Sequence, residues 1–160
     1  HGLAAVMSQA AYAISWKITV FALGVFSFGM MAGSVLATTR GVLRTGLLAI
    51  AGAQLVVYTA WMLVHDEYRY VVLDSAIVMS TLLFLHGWSA ASRRDRASYW
   101  VLSAIAVSAV AAAVQYYRVA PHEHFNHNDL YHVIQIAAMA LFFRGGKLLR
   151  DRMEPERTGT

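Results

Sequence analysis

The sequence predicts an all-α protein, a polytopic transmembrane helix bundle of five full spans plus a short N-terminal helix. Three observations predict it. The chain has 160 residues, 58% of them hydrophobic and only 14% charged, whereas an ordinary soluble domain is nearer a quarter charged. Its mean hydropathy of +0.49 implies more apolar surface than one water-soluble core of this length hides, and a bilayer is the simplest sink for it. The apolar residues also recur in long runs separated by short charged segments.

The first run, Gly2 to about Ser15, is too short to span alone and predicts the short N-terminal helix. Lys17 ends it, and a turn is expected near residue 16. The second run, Ile18–Thr38, contains Gly29-Met-Met-Ala-Gly33, a spacing that lets two helices approach closely. Gly46–Val64, Val71–Ala90 and Tyr99–Tyr117 follow, then Leu130–Phe143 extending towards Leu149. Each of these five longer runs approaches the ~20 residues that cross ~30 Å of hydrocarbon. Proline occurs only at 121 and 155, outside the runs, so no helix interior is broken. Residues 1–150 read as one transmembrane domain and 151–160 as a polar cytoplasmic tail. There is no internal repeat, and neither a basic leader nor a small-residue cleavage site predicts a signal peptide.

The net charge of +4 and pI near 9.6 raise nucleic acid as a partner. The basic residues argue against it, because they sit at the ends of apolar runs and form no stripe with interleaved aromatics. Ten of the thirteen Lys and Arg residues fall in alternate loops or after the last span: Arg40, Arg44, Arg93, Arg94, Arg96, Arg144, Lys147, Arg150, Arg152 and Arg157. Positive charge marks the cytoplasmic face. The loops near 42 and 94 and the C-terminus are therefore expected inside, as in a bacterial inner-membrane protein. The loops near 67 and 123, and the turn near 16, are expected outside. With no cysteine, disulfides and thiolate metal sites are excluded.

The outer ends collect the chemistry. Five of the seven histidines (His65, His122, His124, His127, His132) and five of the nine acidic residues (Asp66, Glu67, Asp74, Glu123, Asp129) fall there. Gln54, Tyr58, Trp61 and His65 share one helical face, as do Asp129, His132 and Gln135. Asp74 lies just inside its span, where an ionisable group needs a partner or a wet cavity. Histidine and carboxylate suit Zn²⁺, and a catalytic site needs three protein ligands plus an open position for water. His132, with His127 and a histidine from another span, is the candidate metal ligand; Asp74 and Asp129 are the candidate catalytic carboxylates. His122 and His124 beside Pro121 read as solvated loop residues. His86, near the inner end of its span, reads as an interfacial or packing histidine.

The segments His1-Gly2, His65-Asp-Glu-Tyr-Arg-Tyr70 and His124-Phe-Asn-His-Asn-Asp-Leu-Tyr-His132 resemble a family of small bacterial multispan membrane proteins without an assigned activity. More distantly, the pattern is similar to the superfamily of alkaline ceramidases and adiponectin receptors. That likeness implies a seven-span membrane hydrolase, a Zn²⁺ held by three histidines near one membrane face, and a lipid amide as substrate. In that superfamily the final span carries two histidines four apart, an earlier span a serine and the third histidine, and a neighbouring span an aspartate. Here His132 matches the second histidine of the pair; the first falls on Asn128, with His127 one residue away. His1 matches the early histidine, which implies a truncated seven-span fold; alternatively, His65 followed by Asp74 matches the early His and Asp. The early serine has no counterpart before His1. His1 also lies ~20 Å along its helix from the turn near 16 at 1.5 Å per residue, deeper than His132.

Three functions compete. The first is a metal-dependent membrane hydrolase acting on a lipid-like amide or ester in an outer-face His/Asp site. The second is a non-catalytic accessory subunit of a larger membrane complex, which suits the short loops and the small-residue face of the second run. The third is a histidine-ligated haem or proton-relay protein, with His65 and His132 as the haem pair.

Overall fold

A computed structural model describes residues 8–122 and 125–149. They form five helices: α1 (Gln9–Thr38), α2 (Gly41–Val64), α3 (Tyr68–Arg93), α4 (Arg96–Tyr116) and α5 (His127–Leu148). No strand occurs among the described residues; the nearest thing is an isolated bridge between His122 and Phe125 in the α4–α5 connection. His1, expected as a metal ligand, lies outside the described residues, as do Glu123, His124 and the tail beyond 149.

Two expectations about the helices need correction. From Gln9 onward the first apolar run continues into the second as one helix, and there is no turn near residue 16. Lysine is a good helix former, and no Gly or Pro lies nearby to stop the helix. The Lys17 ammonium reaches sideways instead, to the Met62 and Leu63 carbonyls at 2.8 and 3.3 Å and to Asp66 at 2.6 Å. There it satisfies orphan carbonyls at the end of α2. Second, among the described residues four helices, α1 to α4, are long and apolar enough to cross a membrane, not five. The 22 residues of α5 suffice in length, but His127, Asp129, His132, Gln135, Arg144 and Lys147 lower its hydropathy. The protein is a helical membrane protein, as its many exposed apolar side chains require: Phe84 is 73% exposed and Trp88 65%, positions that suit lipid.

Polar residues start several helices. Ser8 caps α1 and Asp95 caps α4, and at α5 Asn126 and Asp129 form a reciprocal capping box. The principal packing pairs are α1 with α2, α1 with α3, α3 with α4 and α4 with α5. The helices therefore succeed one another in the order α2, α1, α3, α4, α5. One apolar cluster gathers Met31, Ala51, Val78, Leu82 and Val101, and a second, nearer the 65–67 loop, gathers Val20, Tyr58, Met62 and Val71.

Close helix approach occurs at glycines other than those the spacing suggested. A Cβ on Gly29 or Gly33 meets nothing within 4 Å, because none of the described helices packs against them. A Cβ on Gly24 falls 2.5 Å from the Tyr58 ring, and one on Gly145 falls 3.0 Å from Val101. α4 and α5 also bury small residues: Ala97, Ala104 and Ala111, seven apart in α4, are at most 2% exposed, and Ala138 of α5 is fully buried.

Candidate functional site

The outer residues are tied up one by one. His65 is the C-cap of α2; its Nδ1 lies 3.0 Å from the Trp61 carbonyl, and its ring stacks on Trp61 at 4.0 Å with the Tyr70 edge at 5.4 Å. Asp129 accepts the Asn126 amide at 3.0 Å within the capping box, so its carboxylate starts α5. Asn128 accepts from Gln115 at 2.7 Å. His127 is the first residue of α5. His132 is exposed beside the Tyr131 ring at 5.1 Å. Among the described residues no three His, Asp or Glu side chains gather closely enough to hold a metal ion. Among the described residues, His65, His127, His132, Asp74 and Asp129 are not brought together as a set of three ligands.

Asp74 is different. It is 8% exposed and about 9 Å into α3 from Tyr68 at 1.5 Å per residue. The Gln54 amide donates to its Oδ1 at 2.8 Å. The predicted face of α2 thus divides. Gln54 turns inward to Asp74, Tyr58 donates its hydroxyl to the Val20 carbonyl at 2.9 Å, and Trp61 and His65 stay at the rim. The bare Cα of Gly24 leaves room for the Tyr58 ring. A narrow cleft beside Asp74, too tight to admit a water molecule, is lined by Ser27, Phe28 and Met31 of α1 and by Ala51, Gln54 and Leu55 of α2.

The second buried cluster lies ~18 Å further along α3 at 1.5 Å per residue, and sequence reading missed it. His86 is fully buried. Its Nδ1 is 2.9 Å from Ser98 Oγ on α4, and its Nε2 is 3.0 Å from Ser34 Oγ on α1. Ser98 Oγ is in turn 2.6 Å from Asp95 Oδ2, and Asp95 also accepts the Ala97 and Ser98 amides at 3.1 and 3.2 Å. Hydrogen-bond logic fixes the protons. As a carboxylate Asp95 only accepts, so Ser98 gives it its one O–H. The neutral imidazole then donates from Nδ1 to Ser98, and its Nε2 accepts from Ser34. Every donor points the same way, Ser34 to His86 to Ser98 to Asp95, from between the inner ends of α1, α3 and α4 to the α3–α4 loop. Two signals pointed here: an ionisable residue well inside an apolar run, and Asp95-x-x-Ser98 at a helix start.

No curated protein matches this chain, and no solved structure does either. The sequence pattern of DUF6962, a family of unknown function, matches residues 1–151, and the chain belongs to that family.

Proposed function

We propose that the protein is a proton-relay protein of the membrane, with His86 as its protonatable centre. The observation that supports it is the hydrogen-bonded series Ser34–His86–Ser98–Asp95, uniform in polarity and leading from a fully buried imidazole to a loop carboxylate. A buried histidine exchanges protons only through its hydrogen-bond partners, and here Ser98 accepts from the ring and donates to Asp95, where the series ends. Asp95 sits among Arg93, Arg94 and Arg96, so the preponderance of arginine gives this end as the cytoplasmic one. A zinc hydrolase centred on His132 has no comparable grouping of ligands among the described residues to support it.

The test is proton uptake by liposomes carrying the purified protein and an internal pH-sensitive dye, driven by a potassium diffusion potential. Wild-type vesicles are expected to acidify several-fold faster than empty ones. His86→Gln, which retains hydrogen-bonding groups but does not titrate, and Ser98→Ala, which interrupts the series, are expected to fall to the empty-vesicle rate. Correctly folded wild-type protein that moves protons no faster than bare lipid overturns the proposal.

A further inference from the structure

We propose that the arginine-bearing end of the bundle is a docking site for an acidic phospholipid, whose headgroup phosphate it holds between the α1–α2 and α3–α4 turns. The Arg93 guanidinium joins these turns: its two terminal nitrogens donate to the Thr38 carbonyl at 3.3 and 3.4 Å. That carbonyl lies at the end of α1, where a helix leaves its last carbonyls without internal partners. Arg40, Arg94 and Arg96 belong to the same two turns, and all three are exposed. Arg94 takes a left-handed backbone, φ 52°, at the C-cap of α3, where glycine is the usual residue.

These charges are not balanced within the described residues. Asp95 is the one acid in either turn. Its oxygens already accept the Ala97 and Ser98 amides and the Ser98 hydroxyl. The side chains of Arg40, Arg94 and Arg96 make no ion pair or hydrogen bond among the described residues. Like charges gathered at two adjoining turns repel, and an anion seated between them relieves that repulsion. Guanidinium presents paired N–H donors that match the oxygens of a phosphate. The apolar surroundings select a lipid over a free phosphate or a nucleic acid. Val42 and Leu43 follow Arg40 by two and three residues and are 91% and 63% exposed. Trp88, ~8 Å before Arg93 along α3 at 1.5 Å per residue, is 65% exposed, and tryptophan suits the headgroup level of a bilayer. A ligand that covers both the guanidiniums and these side chains carries phosphate and hydrocarbon in one molecule. The choline of a zwitterionic lipid adds a further cation, so the charge selects phosphatidylglycerol or another acidic lipid.

The experiment is native mass spectrometry of the detergent-solubilised protein, mixed with equal amounts of phosphatidylglycerol and phosphatidylcholine of the same acyl chains. Thermal unfolding is followed with each lipid. Phosphatidylglycerol is expected to be retained over phosphatidylcholine by at least about five-fold, what one arginine beside an acidic headgroup contributes, and to raise Tm. The triple variant Arg40→Gln, Arg94→Gln, Arg96→Gln is expected to hold the two lipids equally. Arg69→Gln, at the other end of the bundle, leaves the preference intact. Equal retention of both lipids by the wild-type protein overturns the proposal without recourse to any variant. So does a triple variant, folded by its Tm in phosphatidylcholine, that keeps the wild-type preference. Sodium phosphate that raises Tm as much as phosphatidylglycerol, at constant ionic strength, marks a free-anion site and also overturns it. Absence of proton flux in liposomes leaves lipid retention untouched, so the two proposals fail separately.

Discussion

Gly24 shows how much one missing methyl group holds in place. Its Cα faces the Tyr58 ring so closely that a Cβ falls 2.5 Å from Cε1, and the ring's hydroxyl binds the Val20 carbonyl. Gly24→Ala must push the ring aside, with an overpacking cost of about 1–3 kcal/mol. It is expected to lower Tm in detergent, whereas Gly29→Leu, facing open space, is not. Had Gly29→Leu lowered Tm as much, that face would be covered after all. A His86→Ala change removes a fully buried ring and strands the Ser34 and Ser98 hydroxyls. A loss of about 2–4 kcal/mol follows from cavity and unmet hydrogen bonds together, measurable by denaturant titration. At this scale the sequence was only partly legible. The Gln54–Tyr58 face follows from helical periodicity, and Asp74 from the cost of an acid inside an apolar run. The partners of His86 lie 52 and 12 residues away, and periodicity within one helix carries no information about them. The histidines and acids at 65, 127, 129 and 132 are conspicuous in the sequence because they crowd together, yet His65 and Asp129 are absorbed by helix caps and His132 lies exposed beside the Tyr131 ring.

Among the elements, α1 departs furthest from expectation. A charge between two apolar runs reads as a loop, but a lysine with a long apolar stem stays helical and sends its head sideways. What Lys17 finds is the exposed carbonyl end of α2, a favourable place for a cation. With its side chain 32% exposed, screening reduces what the contact contributes. Lys17→Met is expected to cost about 1 kcal/mol, and Asp66→Asn, at the more exposed partner, less; a double-mutant cycle on Tm or urea midpoints separates the two. The α4–α5 pair depends on small residues in the same way that α1–α2 depends on Gly24. Gly145 faces Val101 and the Trp100 side chain, and the Arg144 guanidinium lies 4.2 Å over the Trp100 ring. Gly145→Val is expected to destabilise the pair by about 1–3 kcal/mol, read as a lower Tm and earlier proteolysis between α4 and α5. Alanines seven apart in α4 are visible in the sequence, but their partner helix is not.

For the whole molecule, the alternating loops place the arginine-rich turns and the end of α5 at one end of the bundle, with the 65–67 and α4–α5 connections at the other. Cysteine at Thr158 is expected to resist an impermeant thiol reagent in intact cells, while cysteine at Glu123 reacts; the reverse pattern inverts the proposed orientation. The all-helical architecture was legible because a bilayer admits only helices and closed barrels, and unbroken apolar runs near ~20 residues suit helices. The order of the helices across the array was not, since lipid-facing and helix-facing positions are equally apolar. The single direction of the donors from Ser34 to Asp95 has a further consequence. Once a proton has been handed along such a wire, each hydroxyl has turned and the imidazole has exchanged its tautomer, so the wire now points backwards. It must be reset before it can fire again, and a ring packed on every side cannot simply swing round. For the proposed relay, the expected conduction is therefore a count of discrete shots separated by a recovery time, with a current that levels off as the driving force grows.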